Sequence, residues 1–297
     1  MAQILKAKPV TTAGAARLAS KCKQLKENGI TPYMQVLLVG DNPASQIYTR
    51  NKKRYIEKLG GKCDIIHLPE SLSEKDFIFE VGKMVSNDDI HGCFVQLPLP
   101  KQLGHLDVGE LIPPHKDVDG FHRNNLMGLL AGDCGNEILL PCTPKGIITL
   151  LNHYQIDIEG KNVVIIGRSM IVGKPMAMLL TNYNATVTIC HSKTRDIKRI
   201  TAGADIIIAA IGRAKMVDAS FLSPSGNQII IDVGMNQDEN GKLCGDVDFE
   251  AVSDKVAAIT PVPGGVGPMT ILSLAENLLQ AANARANQLL GQVIHEQ

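Results

Sequence analysis

The sequence has no excess of charge of either sign. Lysine and arginine together number 30, and aspartate and glutamate together also number 30, in a chain of 297 residues. A protein whose main partner is nucleic acid or an anionic membrane usually carries a basic surplus on its surface. We therefore expect no nucleic acid and no membrane among the partners of this protein.

Paired cysteine motifs and long apolar runs are also missing. The seven cysteines are scattered along the chain, and no two of them form a CxxC pair. An odd number of isolated cysteines predicts free thiols in a reducing compartment and no metal site. No apolar run reaches the length that spans a membrane, and the first ten residues lack the apolar run of a signal peptide. We therefore expect a cytoplasmic protein.

What the sequence does contain is an alternation of apolar runs and longer amphipathic segments, with hydrophobic residues at 44%. In the first half, the short apolar runs predict strands and the segments between them predict helices. The predicted strands there are 34–39, 63–68 and 92–97, and the predicted helices are 12–28, 45–60 and 73–85. This order indicates a parallel sheet with right-handed crossovers.

A second alternation follows the proline-bracketed stretch Pro141 to Lys145, where we place the hinge between two domains. A chain of this length has room for about two domains. The predicted elements after the hinge are a helix over 143–154, strands over 162–166, 185–190, 205–210 and 228–233, and a closing helix over 268–288.

The stretch from Gly40 to Arg54 is typical of a loop that opens a helix, with the Ser45 hydroxyl as its cap. Tyr48 and Lys52 lie four residues apart, so a helix places both side chains on one face. An amine beside an aromatic surface can donate and accept a proton near neutral pH once it is desolvated. A solvated basic face is the alternative, because other basic residues flank the pair.

Two further polar residues follow predicted strand ends. Gln96 precedes two prolines that cannot continue a ladder, so we expect it at the carboxyl edge of the sheet, where α/β folds bind ligands. Asp119, in the stretch KDVDGF, suits an acceptor for two N–H donors of an amino-pyrimidine-like ring. A calcium loop is excluded because a third acidic ligand and a distal glutamate are missing. A packing glutamine and a turn-capping aspartate are the alternatives.

The strand over 162–166 leads into GRSMIVGKP, residues 167–175. A strand, a glycine turn and a helix start are the arrangement that binds phosphate at a helix N-terminus. The next predicted strand ends in His-Ser-Lys, 191–193, where an NAD site usually has an acid. With Arg168 on the preceding turn, these donors suit a 2′-phosphate, so we predict NADP rather than NAD. For His191 itself a structural surface role is the alternative.

Glycines also end the later strands and open the closing helix. Gly212 and Gly234 follow strands, where close approach of a ligand to the backbone is expected. Residues 260–270, TPVPGGVGPMT, hold three glycines in four residues between prolines. Such a loop is rigid and exposes backbone N–H groups. A plain helix-entry loop is the alternative, although three glycines carry a heavy entropic cost for a connector alone.

These stretches together resemble one family, the FolD-type methylenetetrahydrofolate dehydrogenase/methenyltetrahydrofolate cyclohydrolases. The shared motifs occur in the same order over nearly the whole chain: SQIYTRNKK, VQLPLP, KDVDGF, PCTPKG, GRSMIVGKP and TPVPGGVGPMT. The resemblance implies NADP-dependent oxidation of 5,10-methylenetetrahydrofolate to the 5,10-methenyl form, then hydrolysis to 10-formyltetrahydrofolate. It also implies a homodimer that acts on tetrahydrofolate derivatives in one-carbon metabolism and purine biosynthesis.

The resemblance assigns roles residue by residue. Lys52 matches the catalytic lysine, Tyr48 the tyrosine on the folate ring system, and Gln96 the glutamine bonded to the lysine. Asp119 matches the carboxylate that holds the pterin edge. The other substrate-binding positions are Val95, Leu97, Pro263, Gly264, Gly265, Val266 and Gly267. The cofactor-binding positions are Gly167, Arg168, Ser169, Val172, Gly173, His191, Ser192, Gly212, Met235 and Thr270. Met235 replaces the isoleucine common there, and the Arg168–Ser192 pair matches NADP-using members.

The expected fold is α/β with two domains and a cleft between them. We predict a folate-binding catalytic domain with a parallel sheet, formed by residues 1–142 and 270–297. Residues 143–269 are predicted to form a Rossmann-type NADP-binding domain.

Three other functions fit parts of the pattern. A short-chain dehydrogenase also uses a YxxxK pair, but there the pair follows the nucleotide-binding turn, whereas Tyr48 and Lys52 precede Gly167. A non-catalytic NADP-binding homologue would have lost Lys52, Gln96 or Asp119, and all are present. A folate dehydrogenase with inefficient cyclohydrolase activity stays open.

Overall fold

The computed structural model describes residues 2–135 and 137–295. By Cα packing the chain divides into two compact units. The first unit contains Ala13–Gly128 with the segments that begin at Gly135 and Ile271. The second unit contains Thr143–Thr270, Leu129–Cys134 and the N-terminal segment up to Thr12.

The secondary structure alternates between strands and helices along most of the chain. The strands are β1 (Gln3–Ile4), β2 (Tyr33–Val39), β3 (Lys62–Leu68), β4 (Gly92–Val95), β5 (Asn162–Ile166), β6 (Thr186–Cys190), β7 (Ile206–Ala209), β8 (Ile229–Asp232), β9 (Asn236–Gln237), β10 (Leu243–Cys244) and β11 (Ala258–Ile259). The helices are α1 (Ala7–Glu27), α2 (Pro43–Lys58), α3 (Glu74–Ser86), α4 (Arg123–Leu130), α5 (Cys142–His153), α6 (Gly173–Asn182), α7 (Ile197–Ala202), α8 (Phe249–Val252) and α9 (Val266–His295). Short 3-10 turns occur at Lys101–Leu103, Ala219–Phe221 and Ser253–Lys255.

The first unit is built on a parallel sheet with the order β3-β2-β4. The central strand β2 is buried from Val36 to Val39, as a continuous apolar run predicts for a strand covered on both faces. Helix α3 buries Phe77, Val81 and Met84, and each such side chain contributes about 1.5–3 kcal/mol on burial. Because the three strands are parallel, their carboxyl ends lie at one edge of the sheet. Helix α2 begins shortly after the carboxyl end of β2.

The second unit is built on a parallel sheet with the order β1-β11-β8-β7-β5-β6. Strand β5 comes first in the chain after the hinge, yet it lies between β6 and β7. The crossovers that follow β5 and β6 therefore run in opposite directions along the sheet. Such a switch point leaves a crevice at the carboxyl end of the strand, which is where open α/β sheets bind ligands. Gly167 lies at that end.

The predicted α/β class, with two domains and parallel sheets, is confirmed. The bounds of several elements differ from the sequence prediction. Helix α1 begins at Ala7 rather than at residue 12, because Pro9 is tolerated in a first helical turn. Strand β4 ends at Val95 instead of Leu97, although the Gln96 N–H still donates to the Leu37 carbonyl at 2.8 Å.

The N-terminal segment also lies elsewhere than predicted. The sequence assigned residues 1–142 to the catalytic domain, whereas Gln3–Ile4 forms an edge strand of the second unit's sheet by pairing with β11. A strand of two residues gives no periodic signal, and only its long-range partner fixes its place. The remaining domain boundaries and the predicted cleft stay predictions.

The seven cysteines all carry free thiols in the structure. Burial raises the pKa of the Cys63 thiol and of the Cys93 thiol, each to about 12. Both thiols are therefore protonated at neutral pH and act as small apolar side chains of the first unit.

Candidate active site

Helix α2 carries the candidate catalytic lysine on its buried face. Ser45, Thr49, Lys52 and Ile56 are its buried residues, and their spacing of four, three and four places them on one stripe. The predicted Ser45 cap is wrong: the Asn42 side chain caps the helix by accepting from the Ser45 N–H at 3.1 Å. Proline is favoured at the first helical position, so Pro43 makes the residue before it the cap.

The Lys52 amine is almost fully removed from solvent, at 3% exposure of the residue. Its Nζ donates to Gln96 Oε1 at 3.4 Å. It also lies 3.9 Å from the Phe94 ring centroid and 5.0 Å from the Tyr48 ring centroid. Two aromatic faces and an amide oxygen thus surround the amine, and each aromatic face attracts a cation. The site holds a desolvated amine in a fixed direction.

Gln96 is oriented by its own backbone neighbour. Its Nε2 donates to the Leu97 carbonyl at 2.8 Å, which leaves Oε1 for the Lys52 amine. Ser45 Oγ lies 3.5 Å from the same carbonyl. The residue follows β4 at the carboxyl edge of the sheet, as predicted, and the strand and α2 together fix its distance from Lys52.

Phe94 was missed by the sequence analysis. It is buried in β4, and its ring packs closest to the Lys52 amine. Side chains two residues apart in a strand point to the same face, so Phe94 shares a face with Gln96. Its spacing of two residues from Gln96 could have predicted this position from the sequence.

The turn that carries Asp119 is closed by its neighbour Asp117. The Asp117 carboxylate accepts from the Gly120 N–H at 3.1 Å, the His122 N–H at 2.7 Å and Asn125 Nδ2 at 3.1 Å. Burial, helped by the nearby Asp119 carboxylate, raises the pKa of Asp117 to about 6 against these donors, which act to lower it. The turn-capping role considered for Asp119 therefore belongs to Asp117.

Asp119 itself lies inside this turn. Asp117 pairs with Cys93 of β4 through an isolated parallel bridge, and the chain turns directly afterwards, because the Gly120 N–H donates to the Asp117 carbonyl at 3.1 Å. Asp119 is half-buried. The structure thus brings Tyr48, Lys52 and Gln96 into contact, and it places Asp119 two residues beyond the residue that pairs with β4.

Helix α9 and Lys116 hold the Asp119 segment from two sides. Asn277 Nδ2 on α9 donates to the carbonyls of Val118 and Leu140, each at 2.8 Å. Lys116 Nζ donates to the carbonyls of Val85 and Asn87 at 2.9 and 2.8 Å, at the carboxyl end of α3. These contacts fix the backbone that leads into Asp119.

In the second unit, the predicted phosphate turn has the backbone crowding of a glycine-dependent loop. Gly167 has φ 136°, and a Cβ there would lie 2.1 Å from the Ala210 carbonyl oxygen. A Cβ on Gly173, the first residue of α6, would lie 2.4 Å from the Gly167 oxygen. Ser169 Oγ accepts from the Val172 N–H at 3.1 Å. Only glycine fits at either end of this turn, which brings the start of α6 against the end of β5.

The end of β6 presents polar side chains beside that turn. Arg168 and Ser192 are exposed. The His191 Nδ1 accepts from the Lys193 N–H at 3.1 Å, and the His191 N–H donates to Thr194 Oγ1 at 2.8 Å. His191 therefore shapes the turn that carries Ser192. This geometry favours the structural role considered for it.

Other predicted cofactor positions lie in segments that the structure fixes internally. The Gly212 N–H donates to Asp246 Oδ2 at 3.1 Å, so this donor is already used within the protein. Met235 is exposed at 60%. Thr270 Oγ1 lies 3.2 Å from Thr143 Oγ1, which ties the start of α9 to α5. Val172, which is half-buried directly before α6, completes the predicted set.

The glycine-rich loop of residues 263–267 is anchored by the N-terminal segment. Gly264 has φ 102°, and its carbonyl accepts from the Ala7 N–H at 2.8 Å. A Cβ on Gly265 would lie 2.6 Å from the Pro261 oxygen. Val266 begins α9, two residues earlier than predicted. The loop is therefore a fixed surface at a helix N-terminus rather than a slack connector.

Within residues 2–135 and 137–295, no group of three or more His, Cys, Asp or Glu side chains is arranged to hold a metal ion. Nor do these residues include a helix with the length and apolarity needed to cross a bilayer.

Comparison with known proteins identifies the family. Residues 5–119 match the tetrahydrofolate dehydrogenase/cyclohydrolase catalytic domain, and residues 141–286 match the NAD(P)-binding domain of the same family. The chain is 49% identical over 283 residues to the bifunctional protein FolD of Streptococcus pneumoniae, covering 95% of this chain and 98% of that protein.

Two solved structures are similar over nearly the whole chain. The bifunctional FolD dehydrogenase/cyclohydrolase of Campylobacter jejuni has a TM-score of 0.92 at 44% identity, covering 96% of this chain and 100% of that one. The Trypanosoma brucei enzyme, complexed with NADP cofactor and inhibitor, has a TM-score of 0.88 at 32% identity, covering 95% and 98%. The family predicted from the motifs is confirmed, and the chain belongs to the tetrahydrofolate dehydrogenase/cyclohydrolase family.

Proposed function

We propose that Lys52 is the proton-handling group of a bifunctional enzyme, and that Gln96 and Tyr48 position it against the folate. The enzyme oxidises 5,10-methylenetetrahydrofolate to the 5,10-methenyl form and hydrolyses that form to 10-formyltetrahydrofolate. The observation that carries the assignment is the contact of the buried Lys52 Nζ with Gln96 Oε1 at 3.4 Å. The predicted alternatives of a dehydrogenase with little cyclohydrolase activity and of a non-catalytic homologue are not favoured by the bifunctional relatives.

The hydrolytic step is where the lysine is needed. Water attacks the electron-poor carbon between two ring nitrogens, loses a proton, and one carbon–nitrogen bond then breaks. A positioned amine can take and return that proton, and such acid–base catalysis contributes about 10²–10⁴-fold. Gln96 fixes the amine by its amide oxygen, while the Tyr48 and Phe94 rings keep it out of bulk water.

Asp119 and Tyr48 are proposed to hold the folate. A carboxylate can accept two N–H donors from the amino-pyrimidine edge, and a charge-assisted pair of this kind is geometrically specific. The Tyr48 ring offers a flat apolar surface for the reduced ring system. Val95 and Leu97, on either side of Gln96, are proposed to line the folate. The loop Pro263–Gly267 of the other unit is a further proposed substrate-binding segment.

The cofactor is NADP, which accepts the hydride in the oxidative step. The strand–turn–helix at Gly167 fits this cofactor. The turn has space only for glycine, which brings the end of β5 against the N-terminus of α6, and a pyrophosphate binds at such a helix N-terminus. The exposed Arg168 guanidinium and the Ser192 hydroxyl at the end of β6 are the donors for a 2′-phosphate. We propose Gly167, Arg168, Ser169, Gly173 and Ser192 as the principal contacts.

The test is Lys52→Met, which keeps the length of the apolar stem and removes the amine. We expect the cyclohydrolase rate to fall by at least about 100-fold, the lower range for acid–base catalysis, while NADP affinity is unchanged. Hydrolysis of methenyltetrahydrofolate and NADP titration by calorimetry measure the two quantities.

The matched control is Lys53→Met. Lys53 is the next residue on α2, but it forms an ion pair with Glu57 at 3.6 Å and is partly exposed. Its loss should leave both activities at the wild-type level. An unchanged hydrolysis rate in Lys52→Met would remove Lys52 from the mechanism.

Three further statements rest on the family resemblance. The protein is proposed to be a homodimer, to reside in the cytoplasm, and to supply formyl groups for purine biosynthesis. Sedimentation of the purified full chain tests the first, with a monomer at micromolar concentration as the contrary result. Fractionation of cells that express the chain tests the second.

A further inference from the structure

Asp246, in the nucleotide-binding unit, carries a buried carboxylate that has no role in the mechanism above. Asp246 is 0% exposed. Its Oδ2 accepts from the N–H groups of Ile211 at 2.6 Å and Gly212 at 3.1 Å, and its Oδ1 accepts from the Arg213 N–H at 2.8 Å. Three successive backbone N–H groups converge on one carboxylate, as they do on an anion in a backbone nest.

Asp246 is held in place by its own set of contacts. Asn236 Nδ2 donates to Asp246 Oδ1 at 2.9 Å. The Asp246 N–H donates to the Asp232 carboxylate at 2.9 Å, and Asp232 also accepts from the N–H groups of Gly234 and Val247. The β9–β10 hairpin returns the chain so that these residues meet. A Cβ on Gly234 would lie 2.4 Å from the Asp246 carboxyl carbon, so the fit is tight.

The segment that Asp246 fixes lies against the phosphate turn. Ala210 continues from β7, and its N–H donates to the Ile166 carbonyl at 2.8 Å. Its oxygen would lie only 2.1 Å from a Cβ on Gly167. Residues 211–213 follow directly. They therefore leave the sheet at the carboxyl end of β7, beside the switch point where the cofactor is proposed to bind.

We infer that Asp246 is a positioning residue for NADP: its carboxylate sets the backbone of residues 211–213 against the nucleotide. The inference rests on the proposed NADP site. It also determines how Gly212 meets the cofactor, because the N–H of Gly212 faces Asp246. The open side of Gly212, where a Cβ would meet nothing within 4 Å, is the face left for the ligand.

The test is Asp246→Asn in the full chain. The amide keeps the shape but offers one acceptor oxygen instead of two, so at least one of the converging N–H groups loses its partner. We expect the Kd and KM for NADP to rise about 10-fold, which is about 1.4 kcal/mol. The cyclohydrolase kcat should stay unchanged, because hydrolysis transfers no hydride. A purely structural role would lower both activities together.

Asp248→Asn is the matched control. It makes the same change two residues away, where Asp248 Oδ1 caps α8 by accepting from the Ala251 N–H at 3.4 Å, and it should leave NADP affinity unchanged. Wild-type affinity in Asp246→Asn, or an equal loss of both activities, would overturn the inference.

If Asp246→Asn does not fold, Asn236→Ala takes its place. It removes one donor to the carboxylate at a partly exposed position, and we expect about a threefold rise in the Kd for NADP. An unchanged Kd in that variant also overturns the inference. Failure of the wild-type chain to bind NADP would instead overturn the proposed function itself.

Discussion

Asp117-Val118-Asp119 in the first unit and Asp246-Val247-Asp248 in the second unit have the same side chains in the same order. In both copies the first aspartate is buried, at 2% and 0% exposure, and the valine is buried as well. In both, the first carboxylate accepts several N–H groups. Both segments also form an isolated parallel bridge, Cys93 with Asp117 and Val217 with Val247.

The two copies differ in what the first carboxylate reaches. Asp117 bonds to Gly120, His122 and Asn125, all within eight residues. Asp246 bonds to residues 211–213, which lie 33 to 35 positions away. The first copy closes its own turn, whereas the second fixes a distant loop. A short motif thus specifies a buried carboxylate with convergent donors, and the surrounding fold decides which donors arrive.

The second aspartate differs as well. Asp248 caps the N-terminus of α8. Asp119 lies within the turn that Asp117 closes, and its carboxylate is the group that we propose as the folate ligand. One acid in each copy therefore has a structural role. Of the other two, Asp248 is a helix cap, and Asp119 is the proposed folate-binding group.

The largest effect expected from this comparison is on folate binding. Asp119→Ala should lower kcat/KM for both folate reactions by at least about 100-fold, since two hydrogen bonds to a charged group contribute about 1.5–3 kcal/mol each. NADP affinity should not change. Initial rates at varied folate concentration and an NADP titration measure these quantities.

Asp248→Ala is the counterpart change in the other copy. Loss of a helix cap should lower stability by about 1 kcal/mol and leave both reactions at the wild-type rate. Thermal unfolding and the same kinetic assays measure it. Wild-type kcat/KM in Asp119→Ala would mean that the two second aspartates are equivalent and that Asp119 does not bind folate.

The next effect separates the two first aspartates by ligand. Asp117→Asn leaves one acceptor oxygen for three donors, so the turn that carries Asp119 shifts. We expect the KM for methylenetetrahydrofolate to rise about 10-fold, the equivalent of about 1.4 kcal/mol, with NADP affinity unchanged. Asp246→Asn should show the reverse pattern. If both variants weaken both ligands equally, the buried aspartates serve folding in general and the comparison fails.

Local patterns were enough to predict which polar side chains of the first unit lie together. The spacing of four between Tyr48 and Lys52, and the prolines after Gln96, are features of adjacent residues, and the structure brings these three side chains together. The error at the helix start was local too, because Pro43 already pointed to Asn42 as the cap. Roles assigned to individual residues stay predictions until they are tested.

Long-range partners account for what the sequence did not predict. Strand β1 has two residues and is defined only by pairing with β11, some 250 positions later. The role inferred for Asp246 depends on the N–H groups of residues 211–213, which lie more than 30 positions earlier in the chain. Periodicity and capping rules act over a few residues, so they contain no information about such contacts.

The smallest expected effect uses the pKa of Asp117, which burial raises to about 6 from an ordinary value of 3.8. A carboxyl with a raised folded pKa stabilises the fold below its unfolded pKa, and this contribution is lost as the pH rises through about 6. The side chain of Asp117→Asn cannot titrate. Burial also raises the pKa of Asp232 to about 6, but Asp232 is present in both proteins, so the difference in unfolding free energy isolates Asp117. Relative to Asp117→Asn, the wild type should lose about 1 kcal/mol of unfolding free energy between about pH 5 and about pH 6.5. Urea unfolding at both pH values measures it, and an equal difference at the two would show that Asp117 does not titrate in this range.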